Sequence, residues 1–599
     1  MKAGSSIRLN LIGGLLSLAG LFIFVWMVRL QTSEYVADLN QMSKNYTYVR
    51  KVIYPERGHI FDRWGRLMAG STEVYELGVT LKEMKYPEYV SEVLAHVLDM
   101  DRIALYDRLV KSKEGGELVY LTLDSAVPPE KIAEISAIRD QQREQVAKSS
   151  GRKNEKVPTL EGLLWTPRLQ RSYPEHALGA TVLGFYPYRD RDLGQGYFGV
   201  EQKYNNLLAG APVEVTISPD PYKMDLKPAV PPGVSLVLTI DREIQDMVEK
   251  VLAQAVADSG SQSGTIIVTD PNNGEILAMA STPHMDLNEY WRYSEIFPSP
   301  TPYNRAVEQT YEPGSVFKVL TMAAALDSGM VTPDTVFVDE GVITIAGVPI
   351  YNWDRRAWGP QDMVGCMKHS LNVCMAHLAV DMGPTTFYTY MQRFGIGYKT
   401  GIDLSGEINY PLALPGDAIW TPLNLGTNSF GQGLSTTPIQ MVTAVSAVAN
   451  NQGKMMAPHI LKSMIEDGEE HINTPQVIGN PISAETARTL SEMLAVSVEE
   501  ETESAQVPGY RLAGKTGTAE IAGPDGYSPN LTNASFVGWG PVDDPRFIVY
   551  VWLEKPTTSI WGSIVAAPVF QEVVENLVIL MDLPPDAVRQ QLAAQTNGQ

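Results

Sequence analysis

From Leu9 to Val28 the chain is almost purely apolar, interrupted only by Asn10 and Ser17 and bracketed by Arg8 and Arg29. As a helix this run reaches about 30 Å, enough to cross a bilayer. Phe22, Phe24, Trp26 and Met27 at its end do not resemble the small-residue site that a signal peptidase cuts. The run is therefore read as an uncleaved anchor rather than a removed signal. Lys2 and Arg8 favour a cytoplasmic N-terminus, with Arg29 blunting the asymmetry, so the remaining chain is expected outside the cytoplasm.

At 599 residues the chain exceeds one ordinary core, and two or more domains are expected. Apolar content of 44% with 19% charged residues is that of a folded, globular protein. A net charge of −22 argues against a nucleic-acid partner, which would be repelled at long range. The two cysteines, Cys366 and Cys374, form neither a disulfide framework nor a zinc pattern. On one continuous helix they would stand about 12 Å apart, beyond bridging distance, so a disulfide requires a break between them. Buried free thiols are expected.

A polar linker after the anchor leads into Arg57-Gly58-His59-Ile60-Phe61-Asp62-Arg63-Trp64-Gly65, whose alternation and glycines predict strand and turn. Tyr89 to Val110 carries Val90, Val93, Leu94, Val97 and Leu98 at helical spacing. Gln141 to Lys156 is polar and locally basic, and an exposed loop is predicted there. Gly194 to Gly210 lacks the lysine-serine ending of a phosphate loop, so it is read as a turn entering a short helix. Pro231-Pro232-Gly233 marks a boundary. Beyond it a strand, Val234 to Ile240, precedes a helix that buries Ile244, Met247, Val248, Val251 and Leu252. Thr265–Thr269 with Glu275–Ala280, and Ala534–Trp539 with Phe547–Leu553, predict two hairpins. A last helix runs from Ala566 to Leu580. Hairpins at both ends with helices between predict an antiparallel sheet packed against helices, an α+β fold, and the segment after Leu583 is read as a polar, loose tail.

Within this C-terminal half, Pro313 and Gly314 turn the chain into an apolar helix expected to start near Ser315. Lys318 lies three residues on, which puts both side chains on one face. A hydroxyl too weakly acidic to ionise alone beside an amine able to take its proton is an arrangement for nucleophilic catalysis. Free N–H groups at a helix start can meet a developing negative charge. Ser370-Leu371-Asn372 reads as a polar pair in a loop or helix junction. Lys515-Thr516-Gly517-Thr518 reads as a strand in which Gly517 lets something approach the backbone. His369, beside Ser370, has no identifiable carboxylate partner and is assigned a role behind the catalytic residues or in the structure, while Tyr311 and Glu520 are assigned to the rim.

Serine-x-x-lysine, serine-x-asparagine and lysine-threonine-glycine, in that order, resemble the signature of penicillin-binding proteins. Arg57-Gly58 with Asp62-Arg63 and Gly65, Gly199 with Glu201 and Tyr204, and Ser429-Phe430-Gly431-Gln432-Gly433 extend the resemblance to class B, the membrane-anchored cell-wall transpeptidases. The resemblance implies a chain divided into a cytoplasmic tip and anchor (1–30), a pedestal (31–232), a transpeptidase domain of serine β-lactamase-like fold (233–582) and a tail (583–599). It implies a D,D-transpeptidase in the cytoplasmic membrane that cross-links peptidoglycan stem peptides, is acylated by β-lactams, and needs neither cofactor nor metal. Partners implied are donor and acceptor stem peptides and a polymerase of the shape, elongation, division and sporulation (SEDS) group, in elongation or division. Ser315 is then the nucleophile and Lys318 its base, Ser370 relays a proton, Asn372 orients Lys318, and Lys515, Thr516 and Thr518 hold the substrate carboxylate beside Gly517. A carboxypeptidase or β-lactamase, in which water replaces the amine, and a non-catalytic scaffold that activates the polymerase are the alternatives.

Overall fold

The computed structural model describes residues 3–32, 49–115, 119–149, 157–187, 194–217, 230–523 and 526–597. The chain divides into two compact units, Met1–Glu56 with Gly210–Pro232, and Arg57–Ala209 with Gly233–Gln599. In the first unit a helix runs Ala3–Gln31, and within it Asn10–Gln31 is long and apolar enough to cross a membrane, with none of its side chains buried. Among the described residues this unit also holds an antiparallel ribbon of Val49–Ile53 and Val213–Ile217. The polar linker expected after the anchor falls largely outside the described residues.

The second unit holds, among the described residues, three two-stranded ribbons and two large sheets. One has seven strands, in the order Glu469–Ile472, Leu461–Glu466, Ser235–Leu238, Ile60–Phe61, Leu67–Thr80 and Tyr120–Val127, with Leu163–Ser172 also paired to Leu67–Thr80. The strand and turn expected after Arg57 are present. Asp62 closes the turn by accepting from the backbone N–H groups of Trp64 and Arg66 at 2.9 and 2.8 Å. Ile60–Phe61 then runs parallel to Leu236–Val237, so residues from both halves of the sequence share one sheet.

Two expectations for local structure are corrected and one is refined. Tyr89 to Val110 is helical, as its spacing predicts, but forms two helices, Pro87–Leu98 and Arg102–Gly115, because Asp99 turns left-handed at φ 56°. Asp101 then caps the second helix through the N–H groups of Ile103 and Ala104. The loop predicted from Gln141 is helical through Ser149, as the end of Pro129–Ser149. Its polar residues are good helix formers, and Gln142 is buried between the Tyr89 hydroxyl and the Leu160 N–H. Residues 150–156 of that prediction lie outside the described residues. The tail carries a helix, Asp586–Asn597, tied down where Arg589 meets Asp543 and Asp586 at 2.5 and 2.7 Å.

The other sheet has five antiparallel strands in the order Ala513–Gly523, Gly526–Gly540, Phe547–Glu554, Ser263–Thr269 and Ile276–Ser281. Both predicted hairpins are in it. Ser263–Thr269, Ile276–Ser281 and Phe547–Glu554 are buried on both faces. Ile266, Val268, Val549 and Val551 join the core formed with helices Arg242–Ser259 and Ala567–Leu580, while Ile267, Ile548, Tyr550 and Trp552 face the core of Lys318–Asp327 and Pro438–Ala449. Two helical layers thus sandwich the sheet, and Ala513–Gly523 is left at its edge.

Near the join of the sequence halves, Glu201 is wholly buried between two arginines. Its carboxylate meets Arg57 at 2.6 Å and Arg171 at 2.7 Å, and Arg171 also donates to the Gly58 carbonyl. Burial alone would push the carboxyl up, but the two guanidinium charges outweigh it and hold its pKa below the ordinary value. A group depressed in this way stabilises the fold above its unfolded pKa, and that contribution is lost as pH falls through the folded value. Glu201→Ala is expected to cost about 3–5 kcal/mol, because two buried cations lose their counter-ion. Denaturant unfolding at neutral pH measures this, and in the unaltered chain the same contribution should fade on acidification below about pH 4.

Candidate active site

Gly314 sits at φ +58°, and a Cβ there would come within 2.8 Å of the Thr518 carbonyl oxygen and 2.9 Å of the Ala519 side chain. The position therefore requires glycine twice over, for its dihedral and for the strand pressed against it. The Gly314 N–H donates to the Gly431 carbonyl at 3.0 Å, which fastens the turn to the Ser429–Gly433 loop. The helix expected from Ser315 begins instead as a 3-10 turn, Gly314–Phe317, and becomes α-helical at Lys318–Asp327. Three residues per turn place positions three apart directly above one another. Ser315 and Lys318 therefore share a face, as expected.

Lys318 is completely buried. Its Nζ donates to the Ser370 carbonyl at 2.6 Å, to Ser370 Oγ at 3.1 Å and to Asn372 Oδ1 at 2.8 Å. All three ammonium protons are thus directed at the serine-x-asparagine segment, and among the described residues no hydrogen bond joins Lys318 to Ser315. Desolvation first, and then the charge of nearby Lys515, push the Lys318 pKa well below that of a free lysine. Lys515 is itself buried, and desolvation pushes its pKa down to about 7.

Ser370-Leu371-Asn372 is the junction between helices Met363–Lys368 and Asn372–Arg393, and Ser370 is left-handed at φ 55°. That backbone state is uncommon outside glycine and must be held by its surroundings. Two restraints do so. Asn372 Nδ2 donates to the Tyr351 carbonyl at 3.1 Å, and Cys366 is bridged to Cys374. The expected free thiols are thereby corrected: the junction bends the chain, so the Cα atoms lie 6.2 Å apart rather than at the separation of a straight helix.

Lys515 to Thr518 lie on the edge strand, as expected. A Cβ on Gly517 would come within 2.2 Å of Ser535 Oγ and 2.9 Å of Val316, so the glycine lets the strand close onto the serine turn. Lys515 Nζ is 3.3 Å from its neighbour Thr516 Oγ1, and Thr518 Oγ1 accepts from the Gly562 N–H at 3.1 Å. Ser315, Ser370, Asn372, Thr516 and Thr518 line one cavity of about 830 Å³, which Lys318 and Lys515 support from behind.

Two assignments change. Tyr311 is 5% exposed and its hydroxyl meets that of Tyr550, so it lies beneath the site rather than on its rim. His369 does have a carboxylate beside it, since Glu501 Oε1 lies 3.2 Å from its Nδ1. Glu312, not singled out from sequence, accepts from the Tyr527 hydroxyl at 3.0 Å and the Gly433 N–H at 3.2 Å. It thereby links the serine turn to the hairpin and to the glycine loop. Its place three residues before Ser315 was the available signal, but a lone carboxylate in a turn is not distinctive.

Residues 264–575 match the penicillin-binding protein transpeptidase domain, and residues 52–224 match the penicillin-binding protein dimerisation domain. Stage V sporulation protein D of Bacillus subtilis is 32% identical over 547 residues, covering 89% of this chain and 79% of that protein. A probable peptidoglycan D,D-transpeptidase, PbpC of Pseudomonas aeruginosa, is 29% identical over 593 residues, covering 97% and 96%. Among solved structures, penicillin-binding protein 3 of Mycobacterium tuberculosis in complex with aztreonam aligns with a TM-score of 0.66 at 25% identity, covering 89% of this chain and 98% of that one. The chain belongs to the penicillin-binding proteins, in class B, where a transpeptidase domain follows a dimerisation domain.

The bridge between Cys366 and Cys374, eight positions apart, closes a short loop around Ser370. Chain entropy assigns a loop of that size about 2.5 kcal/mol of stabilisation. The double variant Cys366→Ser/Cys374→Ser should lose roughly that amount in denaturant unfolding.

Proposed function

We propose that this chain is a peptidoglycan D,D-transpeptidase anchored in the cytoplasmic membrane by its N-terminal helix, with its catalytic domain outside. The observation that carries the proposal is the buried Lys318 amine, gripped by Ser370 and Asn372 one helical turn from Ser315. An amine kept below its ordinary pKa spends time as the free base, and Lys318 shares a face of the turn with the Ser315 hydroxyl.

In the first half-reaction Lys318 takes the proton of Ser315, and the serine oxygen attacks the penultimate carbonyl of a stem peptide ending in D-alanyl-D-alanine. N–H groups of Ser315 and Thr518 stabilise the oxyanion. The C–N bond breaks, and the proton passes through Ser370 to the departing D-alanine amine. The open edge of Ala513–Gly523 offers unpaired backbone groups on which an extended peptide can lie. Thr516, Thr518 and the Lys515 charge hold its terminal carboxylate beside Gly517. A second amine then resolves the acyl-enzyme into a cross-link. A β-lactam, carrying a reactive amide and a carboxylate, fits the same steps and stalls after the first.

Residues 31–232 serve in this reading as a pedestal domain for the transpeptidase domain, residues 233–582. The glycan polymerase it works beside, of the SEDS group, acts in elongation or division.

Ser315→Ala should lose the mass increment that a penicillin adds to the unaltered chain, and peptide mapping of that chain should place the adduct on Ser315. A folded Ser315→Ala protein that still acquires the adduct would rule out this nucleophile. Lys515→Ala should slow acylation by carboxylate-bearing acyl donors about 10- to 100-fold more than acylation by donors lacking one, the size of a lost hydrogen bond to a charged group. Equal losses would mean that Lys515 acts only through Lys318 or through the fold.

A further inference from the structure

The two half-reactions differ in their proton count. In the first, the proton leaving Ser315 is consumed by the departing amine, and the books balance within the site. In the second, the acceptor arrives as an ammonium, since an alkylamine has a pKa of about 10. It must lose one proton before its nitrogen can attack and a second as the amide forms. Only the second is needed, to restore the Ser315 hydroxyl through Lys318 and Ser370. One proton per turnover therefore has to leave by another route, and Lys318 is already committed to Ser370 and Asn372.

His369 is the one imidazole among the described residues lining the catalytic cavity. It immediately precedes Ser370, and three contacts fix it. Its ring stacks on Trp358 at 4.1 Å, its carbonyl accepts from Trp353 Nε1 at 3.0 Å, and its N–H donates to the Gly365 carbonyl at 2.9 Å. Nδ1 is buried and has no aligned hydrogen-bond partner, but Glu501 Oε1 is 3.2 Å away, off the line of the N–H. Among the described residues Nε2 is bonded to nothing. A carboxylate behind one ring nitrogen, with the other unengaged in the cavity that also holds the reacting serine, is the arrangement of an oriented base. Glu501 is 41% exposed and also lines the cavity, so it presents negative charge to an incoming cation. The neighbouring pair Lys368 and Glu500, 2.6 Å apart, is internally neutralised and leaves Glu501 as the uncompensated charge beside the ring.

We propose that His369, oriented by Glu501, accepts the surplus proton of the incoming primary ammonium, and that the Glu501 side of the cavity is the acceptor subsite. This rests on the transpeptidase reading above. R–NH3+ gives one proton to His369 Nε2 and becomes R–NH2, while Glu501 stabilises the imidazolium. The free amine attacks the acyl carbon; its C–N bond forms, the Ser315 Oγ–C bond breaks, and the second nitrogen proton returns to Ser315 by way of Lys318 and Ser370. The imidazolium then releases its proton to solvent. Burial holds the ring pKa below its ordinary value despite Glu501, so at neutral pH it starts as the free base. Lys368 reinforces that direction, while Glu500 opposes it. Glu501 is a positioning residue in this scheme and His369 the catalytic one.

The test uses the full chain in detergent, a fluorescent penicillin to follow acylation, and a thioester donor whose acyl group is passed to either D-alanine or hydroxylamine. D-Alanine is an ammonium at neutral pH, whereas hydroxylamine is already a free amine and needs no base. His369→Asn should reduce transfer to D-alanine at least about tenfold, leave penicillin acylation within about twofold, and spare transfer to hydroxylamine. The deficit with D-alanine should shrink as pH rises toward the amine pKa. Glu501→Gln should show the same selectivity with a smaller loss, restored by Glu501→Asp. Equal losses with both amines, or a parallel fall in acylation, would mean that His369 only props the Ser370 junction and would overturn the inference. Unchanged transfer in both variants would overturn it as well, with the transpeptidase reading intact. An unaltered chain that penicillin never acylates would overturn both.

Discussion

An amine with no solvent at all is the constraint around which the rest of the catalytic half is arranged. Burying a lysine costs several kcal/mol unless its protons are met or its charge is given up. Lys318 has both outlets, three acceptors and a second cation nearby that favours deprotonation. The acceptors come from one short junction, so the site is only as exact as that junction. This accounts for the cluster of restraints around it: a left-handed Ser370, a disulfide spanning it and Asn372 pinned to Tyr351. The glycines answer the complementary need. Gly314, Gly431 and Gly517 remove side chains where the serine turn, the glycine loop and the edge strand must touch.

Much of this was legible because the chemistry lies in short motifs and the elements have strong periodicity. The two hairpins, the helix capped by Asp241 and the last core helix lie where alternation and helical spacing put them. The misses have a common physical origin in interactions that sequence spacing does not encode. Nothing in the apolar period of Tyr89 to Val110 announces that Asp99 turns left-handed, since the pattern continues across the break. The helical end of Pro129–Ser149 looked like a loop because its one buried polar residue, Gln142, finds partners far along the chain. His369 lacked a visible carboxylate because Glu501 is brought to it from the end of another helix, Ala484–Glu501. The disulfide was missed for the opposite reason. A loop or helix junction at Ser370 is legible in the sequence, but only the fold shows that it bends the chain enough to bring Cys366 and Cys374 within bridging distance.

The buried Glu201 shows the same economy of means away from the site. Arg57, Arg171 and Glu201 lie in three separate stretches of sequence and converge on one carboxylate, with Tyr173 as a further donor. A buried ion cluster is weak evidence of net stability, but it is demanding about geometry, because each partner removed strands the others. Its position, where Arg57 leads into Ile60–Phe61, makes the register of that short strand depend on it.

That short strand sets an order of events. Ile60–Phe61 and Leu67–Thr80 are made early, yet their sheet is continued by Ser235–Leu238 and, beyond it, by Leu461–Glu466. A chain made from its N-terminal end presents the first strands with one edge open until well over a hundred further residues have followed. Pairing over such separations is slow, and an open edge invites association with other chains. The N-terminal module is therefore not finished when its own sequence is. Its completion is timed by the arrival of the catalytic half, which makes maturation of the two a single event and leaves the interval before it as the period when this protein most needs a companion.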